Sequence, residues 1–205
     1  MKNLSFVFTV FFMLLGPLKV IPAFARVTRG ADAGFKRAVA VRAALIASVL
    51  CALIALGGQW LVNRYHISID ALRIAGGLVL LLAGLQLMFQ RARPSSPGTG
   101  TPSAMQLAAS PLAVPGIVTP AGVAAILICA MLAPGFPGMA QAIVIGLTAM
   151  MVLDFLVMYF IDRVLKMPGL MIVLTVLGSA LVFVQVALAI EIILNGLRGL
   201  GVVHS

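Results

Sequence analysis

Six long apolar stretches divide the chain, at about Leu4 to Phe24, Ala38 to Val62, Leu72 to Phe89, Leu107 to Ala133, Ala140 to Phe160 and Leu170 to Leu194. Each has roughly the 17 to 25 residues that a helix needs to cross about 30 Å of hydrocarbon. None shows the strict alternation over shorter runs that a membrane barrel strand requires. The pattern predicts an all-α polytopic membrane bundle of six transmembrane helices. Polar positions interrupt it at few places, and those places carry the remaining information.

Composition agrees: 62% of the 205 residues are hydrophobic and 9% charged, with a mean hydropathy of +1.19, outside the range of soluble domains. The net charge of +9 is explained by its distribution. Arg26, Arg29, Lys36, Arg37 and Arg42 follow the first segment, Arg91 and Arg93 the third, and Arg163 and Lys166 the fifth. Lys2, Arg64, Arg73 and Arg198 fall to the other side. The positive-inside rule then places both termini outside the cytoplasm. The basic loops set topology and meet anionic lipid headgroups. No basic face with interleaved aromatics suggests nucleic acid. Lys2, the first apolar run and Ala23-Phe24-Ala25 imitate a signal peptide, but Lys19 and two prolines just before the cleavage point speak against one.

The first and fourth segments share an irregularity. "LLGPLKVIPAF" aligns with "LAVPGIVTPAG", Pro17 with Pro115 and Pro22 with Pro120, at a constant offset of 98 residues. Gly76-Gly77 echoes Gly178-Ser179 at an offset of 102. A three-plus-three repeat follows: residues 1–93, a linker at 94–106 containing "PSSPGTGTP", and residues 107–205. Three spans reverse the direction of the next unit, so the halves are expected to be inverted in the membrane. An interior proline donates no N–H and clashes with the carbonyl four residues back. Helices one and four are therefore expected to be broken at both prolines of each pair, with Gly16, Ile21, Val114 and Thr119 pushed from helical geometry. Lipid cannot satisfy freed backbone groups, so such breaks belong where protein or a wet cavity surrounds them, and matched breaks point to a central binding site. Pro111 after Ser110 reads instead as a first-turn proline with a capping serine.

The candidate solute-binding residues are Gly16, Pro17, Lys19, Pro22, Pro115, Thr119, Pro120 and Gly122. Lys19 at the centre of a lipid-facing helix would cost about 3 kcal/mol on insertion scales. It either snorkels to the interface or takes part in the site. Thr119 either serves the second break or bonds its own helix. Asp154 and Glu191 are the carboxylates well inside apolar runs, hence candidates for ion or proton coupling, or counter-ions for Lys19 or Arg42. Glu191 and Asn195 share a face at i and i+4. Gly77 and Gly84 make a smooth face for close helix approach.

Cys51 and Cys129 are isolated in apolar runs, and no Cys-x-x-Cys, His-Glu-x-x-His, phosphate-binding glycine loop or nucleophile elbow occurs. No metal, cofactor or enzymatic activity is expected.

These residues carry a family resemblance. Gly16 to Phe24 resembles the first-span signature Asp-Pro-x-Gly-x-x-Pro-x-Phe of the MarC family of six-span bacterial inner-membrane proteins. "ISIDALRIAGGLVLL" resembles its third span, and "SPLAVPGIVTPAGVAAI" its fourth. Gly16 and Lys19 stand where the signature has Asp and Gly, and Thr119 and Ala121 replace glycines around Pro120. The resemblance implies solute transport, since members include transporters of small neutral amino acids. The expected function is a secondary transporter of a small polar metabolite in the bacterial inner membrane. Its partners would be that solute and membrane lipid, and a homo-oligomer is compatible with the sequence. A transmembrane thiol-disulfide electron carrier and a non-transporting membrane organiser are the alternatives.

Overall fold

In the computed structural model, residues 2–89, 103–166 and 169–202 are described. The expected linker "PSSPGTGTP" lies outside them. All regular structure among the described residues is helical. The order is α1 (Lys2–Leu15), α2 (Pro17–Val27), α3 (Ala33–Arg64), α4 (Ile69–Phe89), α5 (Ala104–Leu107), a π-helical stretch (Ala108–Ile117), α6 (Pro120–Leu132), a single 3-10 turn (Ala133–Gly135), α7 (Met139–Tyr159), α8 (Ile161–Leu165) and α9 (Leu170–Gly199).

Five stretches are long and apolar enough to cross a membrane: Asn3–Val27, which runs through the first break, Ala33–Arg64, Ile69–Gln86, Met139–Tyr159 and Ile172–Gly199. The expected fourth segment is divided into shorter apolar pieces, Ala104–Val114 and Pro120–Gly135. It starts earlier than predicted. Ser103 caps α5 by accepting from the Gln106 N–H, while the Gln106 side chain returns to the Ser103 N–H. Ser110-Pro111 therefore lies inside the π-helical stretch and does not open the helix.

The broken first segment runs through the middle of the bundle. Half of its apolar window is buried, against 12% for α9, and Val7, Phe11 and Leu14 are fully enclosed. Its principal partner is α7, where a Cβ on Gly146 would sit 3.2 Å from Phe11 and Val7. The inward stripe of α7 repeats every fourth residue, Ala142, Gly146, Met150, Asp154 and Met158, the spacing of one helix face. Helix α6 is buried along Ala121, Gly122, Ala125, Ile126 and Cys129. Exposed Val173, Val176 and Phe183 of α9 and Leu45, Val49, Leu53 and Leu56 of α3 form faces suited to lipid.

Helices α4 and α9 make the most extensive contact in the bundle, and the expected glycine face carries it. A Cβ on Gly77 would meet Ile193 and lie 2.9 Å from the Ala189 carbonyl, and one on Gly84 would lie 2.7 Å from Val186. At one end of the bundle the Asn3 amide donates to the Pro137 carbonyl at 3.1 Å, and Gly196 packs on Asp70 and Arg73. At the opposite end Lys36 pairs with Asp162 at 2.7 Å, and Arg37 lies 5.1 Å over the Tyr159 ring. Two of the basic residues expected to set topology thus also tie α3 to the α7–α8 corner.

Overpacking a close helix contact costs about 1 to 3 kcal/mol. Gly77→Leu is expected to lower the thermal midpoint of the detergent-purified protein, whereas Gly57→Leu, with no atom near its Cβ position, leaves it unchanged.

Candidate functional site

Helix α1 ends at Leu15, Gly16 is extended (φ −76°, ψ 172°), and α2 restarts with Pro17 at its first position. Proline fits there because the first N–H of a helix has no intrahelical partner anyway. A side chain at Gly16 would run into the carbonyl of Phe12, so the chain turns where no Cβ stands in the way. At the second break the π-helical stretch closes with a bond of 2.8 Å from the Val118 N–H to the Ala113 carbonyl. Thr119 is extended (φ −81°, ψ 153°), and α6 restarts at Pro120.

One proline of each pair marks a break, not both. Pro22 lies inside α2, and Pro115 lies inside the π-helical stretch; the Pro115 side chain is outside the described residues. Ile21 and Val114 accordingly stay helical. An interior proline removes one ladder bond, which a surrounding bundle tolerates. A full break also needs a residue able to end one helix and start another. Gly16 does this by lacking a Cβ, and Thr119 by capping with its side chain.

The two breaks face each other. The Thr119 hydroxyl accepts from the Gly122 N–H at 3.0 Å, an N-cap for α6, and donates to the Leu14 carbonyl at 3.4 Å. That carbonyl belongs to the last turn of α1, where no helical N–H remains to bond it. Thr119 thus serves both its own helix and the opposite break. Beside it Gly122 lets the Leu15 side chain approach where a Cβ would collide. Gly16, Pro17 and Gly122 are buried, Thr119, Lys19 and Pro22 partly buried, and Pro120 exposed.

Lys19, in the first turn of α2, is turned into the bundle. Its ammonium donates to Gln185 Oε1 of α9 at 2.9 Å, and the Gln185 amide donates to the Leu80 carbonyl of α4 at 3.2 Å. The amide can take only this orientation, since the flipped form would set its NH2 against the ammonium and its oxygen against a carbonyl. Gln185 is 1% exposed. Neither Asp154 nor Glu191 is the counter-ion of Lys19 or Arg42: no such ion pair occurs among the described residues, and Arg42 is exposed.

Asp154 sits on the inward stripe of α7, 1% exposed, and neither of its oxygens accepts a hydrogen bond from the described residues. Glu191 is exposed and accepts from Asn195 at 3.2 Å, the expected i, i+4 pair, and from Arg198 at 3.4 Å.

A cavity of about 350 Å³ opens between α1, α4, α6 and α9. Its polar wall is Arg73, Glu191 and Asn195, and its lining reaches Leu14 and Leu80, the residues whose carbonyls Thr119 and Gln185 bind. Cys129 lines this cavity, whereas Cys51 lines a separate apolar cleft of about 630 Å³ between α3 and α7. Both thiols are free and buried, and neither stands at a break. Arg73 and Gln185 were not among the candidate site residues. The signal for Gln185 was present, as an amide inside "LVFVQVALAI" must find partners or remain costly.

The MarC family of integral membrane proteins matches residues 1–200. The chain belongs to the MarC family. A UPF0056 membrane protein of Pyrococcus horikoshii is 24% identical over 200 residues, covering 97% of this chain and 96% of its own. The UPF0056 membrane protein YvbG of Bacillus subtilis is 26% identical over 206 residues, covering 95% and 93%. The UPF0056 inner membrane protein YhgN of Escherichia coli is 25% identical over 135 residues, 66% of each chain. No solved structure matches.

Removing the Thr119 hydroxyl leaves both the α6 cap and the Leu14 carbonyl without a partner. Thr119→Val is expected to destabilise the protein by about 1 to 2 kcal/mol and Thr119→Ser by much less, measured by thermal unfolding in one detergent.

Proposed function

We propose that this MarC-family protein is a secondary transporter of a small polar metabolite, such as a neutral amino acid, working by alternating access. The observation that carries the reading is the Thr119–Leu14 hydrogen bond, which joins two helix breaks beside a cavity reaching Leu14. Opposed half-helices are a recurrent way to bind a polar solute in a membrane. The solute is held by Gly16, Pro17, Lys19, Pro22, Pro115, Thr119, Pro120 and Gly122. Residues 1–93 and 107–205 act as inverted halves that rock about it, joined through 94–106. Asp154, buried with no hydrogen-bond partner among the described residues, and Glu191, on the cavity wall, are the coupling candidates. An inner-membrane location is supported by the E. coli relative's name, with both termini outside the cytoplasm on the basic-loop distribution. No observation favours thiol-disulfide electron transfer, because both cysteines lie away from the breaks.

The test is uptake and counterflow in proteoliposomes with a panel of labelled small amino acids. Pro17→Ala and Pro120→Ala variants with wild-type elution are expected to fall toward the background of empty liposomes. Wild-type rates in both would place the solute elsewhere.

A further inference from the structure

The cleft between α3 and α7 is an apolar furrow with a cationic end. Its volume is about 630 Å³, and apart from the hydroxyls of Ser48 and Thr148 and the thiol of Cys51 its lining residues are apolar. From Val41 to Leu56 it follows α3 for roughly 22 Å at 1.5 Å per residue, more than half of a hydrocarbon core about 30 Å thick. Leu45, Leu56, Val144 and Val152 on its walls are exposed, so the furrow opens on the outer face of the bundle, where lipid chains lie.

The lining stripe of α3 steps by three or four residues through Val41, Leu45, Ser48 and Ala52, and one turn before Val41 the same face carries Arg37. On α7 the stripe passes through Thr148, Met151 and Phe155, and one turn beyond stands Tyr159. These two end residues meet. The Arg37 guanidinium lies 5.1 Å over the Tyr159 ring, which packs on Phe155 with ring centroids 5.5 Å apart. Arg37 is exposed and pairs with no carboxylate among the described residues. Positive charge is in surplus around it. Lys36, Arg37, Arg42, Arg163 and Lys166 share this end of the bundle, where Asp162 takes Lys36 and Asp32 caps α3.

We propose that this cleft binds an anionic phospholipid, with one acyl chain lying along the furrow and the phosphate held at Arg37. The contact with Tyr159 uses the face of the guanidinium and leaves its in-plane N–H groups for a bidentate bond to phosphate. The Tyr159 hydroxyl is a second donor at the same end. Phosphatidylcholine fills the furrow as well but carries a quaternary ammonium into a region of surplus positive charge. A second copy of the chain fits worse. Copies in one membrane share an orientation, so a two-fold dimer through this face brings Arg37 to the level of its counterpart, like charge facing like charge. The proposal stands apart from the transport reading, because the cleft shares no lining residue with the cavity between α1, α4, α6 and α9 and none with the two breaks.

The experiment titrates phosphatidylglycerol and phosphatidylcholine with identical acyl chains into the full chain in one neutral detergent and follows the rise in thermal midpoint. Glycerol phosphate supplies the head group without chains. Phosphatidylglycerol is expected to raise the midpoint at concentrations where phosphatidylcholine has little effect and glycerol phosphate none. Arg37→Gln should weaken the apparent phosphatidylglycerol affinity roughly tenfold to hundredfold, the scale of one charge-assisted hydrogen bond, and Arg37→Lys should weaken it less. Lys166→Gln, which removes a charge from the same bundle end outside the cleft, should leave it unchanged. Ala52→Phe, which fills the furrow, should weaken it with Arg37 intact. In the unaltered protein, phosphatidylglycerol with a photoreactive acyl chain should label residues 41–56 of α3 and 143–155 of α7, a readout that needs no variant to fold. Equal responses to the two lipids, a loss in Lys166→Gln as large as in Arg37→Gln, or labelling spread evenly over α9 overturns the proposal. A glycerol phosphate response equal to that of the lipid also overturns it, by assigning Arg37 to a soluble phosphate. So does an Ala52→Phe variant that turns a dimer into a monomer while binding phosphatidylglycerol as before, since the cleft then holds a second copy.

Discussion

The structure turns on one constraint: backbone groups released by a broken helix find no partner in hydrocarbon. Two breaks close together can supply each other. The Thr119 hydroxyl does this with a single atom, capping α6 through the Gly122 N–H and covering the Leu14 carbonyl left bare at the end of α1. Because that atom serves both breaks, the two half-helix junctions are fixed relative to each other. The close approach also needs small residues, and Gly16 and Gly122 occupy the points where a Cβ would collide.

Burial follows from the same constraint. The first broken segment is the most enclosed of the long apolar stretches, and the unbroken α9 the least. Continuous helices satisfy their own backbone and can face lipid, whereas broken ones need neighbours on all sides. Helix α7 supplies much of that enclosure for α1 through a stripe of small and flexible side chains around Gly146 and Met150. The same stripe carries Asp154, a buried carboxylate with no hydrogen bond from the described residues. Helices α4 and α9, packed through Gly77 and Gly84, form a second unit that meets the centre through Gly76 against Ala124 and Ile128 of α6 and through the polar chain from Lys19 by way of Gln185 to Leu80.

Charged groups fall into two kinds. Pairs at the ends of the bundle, Lys36 with Asp162, Arg73 with Asp70 and Arg198 with Glu191, are partly solvated and worth little each. The interior ones, Lys19 and Asp154, have no partner of opposite charge among the described residues.

The sequence by itself determined the helical membrane class, the long apolar stretches, the two interrupted segments and the glycine face between α4 and α9. Each of these is a local or periodic property: apolar length, a missing N–H, a missing side chain at two positions seven apart. It misassigned which prolines break their helices, because a proline's missing bond is local, but its consequence depends on whether a neighbour such as Thr119 can cap the restart. It left open whether Lys19 snorkels outward or turns into the bundle, and gave Gln185 no role. Only the tertiary structure decided those, since the partner that turns Lys19 inward is 166 residues away and the hydroxyl that joins the breaks reaches across 105. Long-range hydrogen bonds between buried polar groups leave no periodic trace in the chain; they arise only when packing brings the groups together in a medium where no water can replace them.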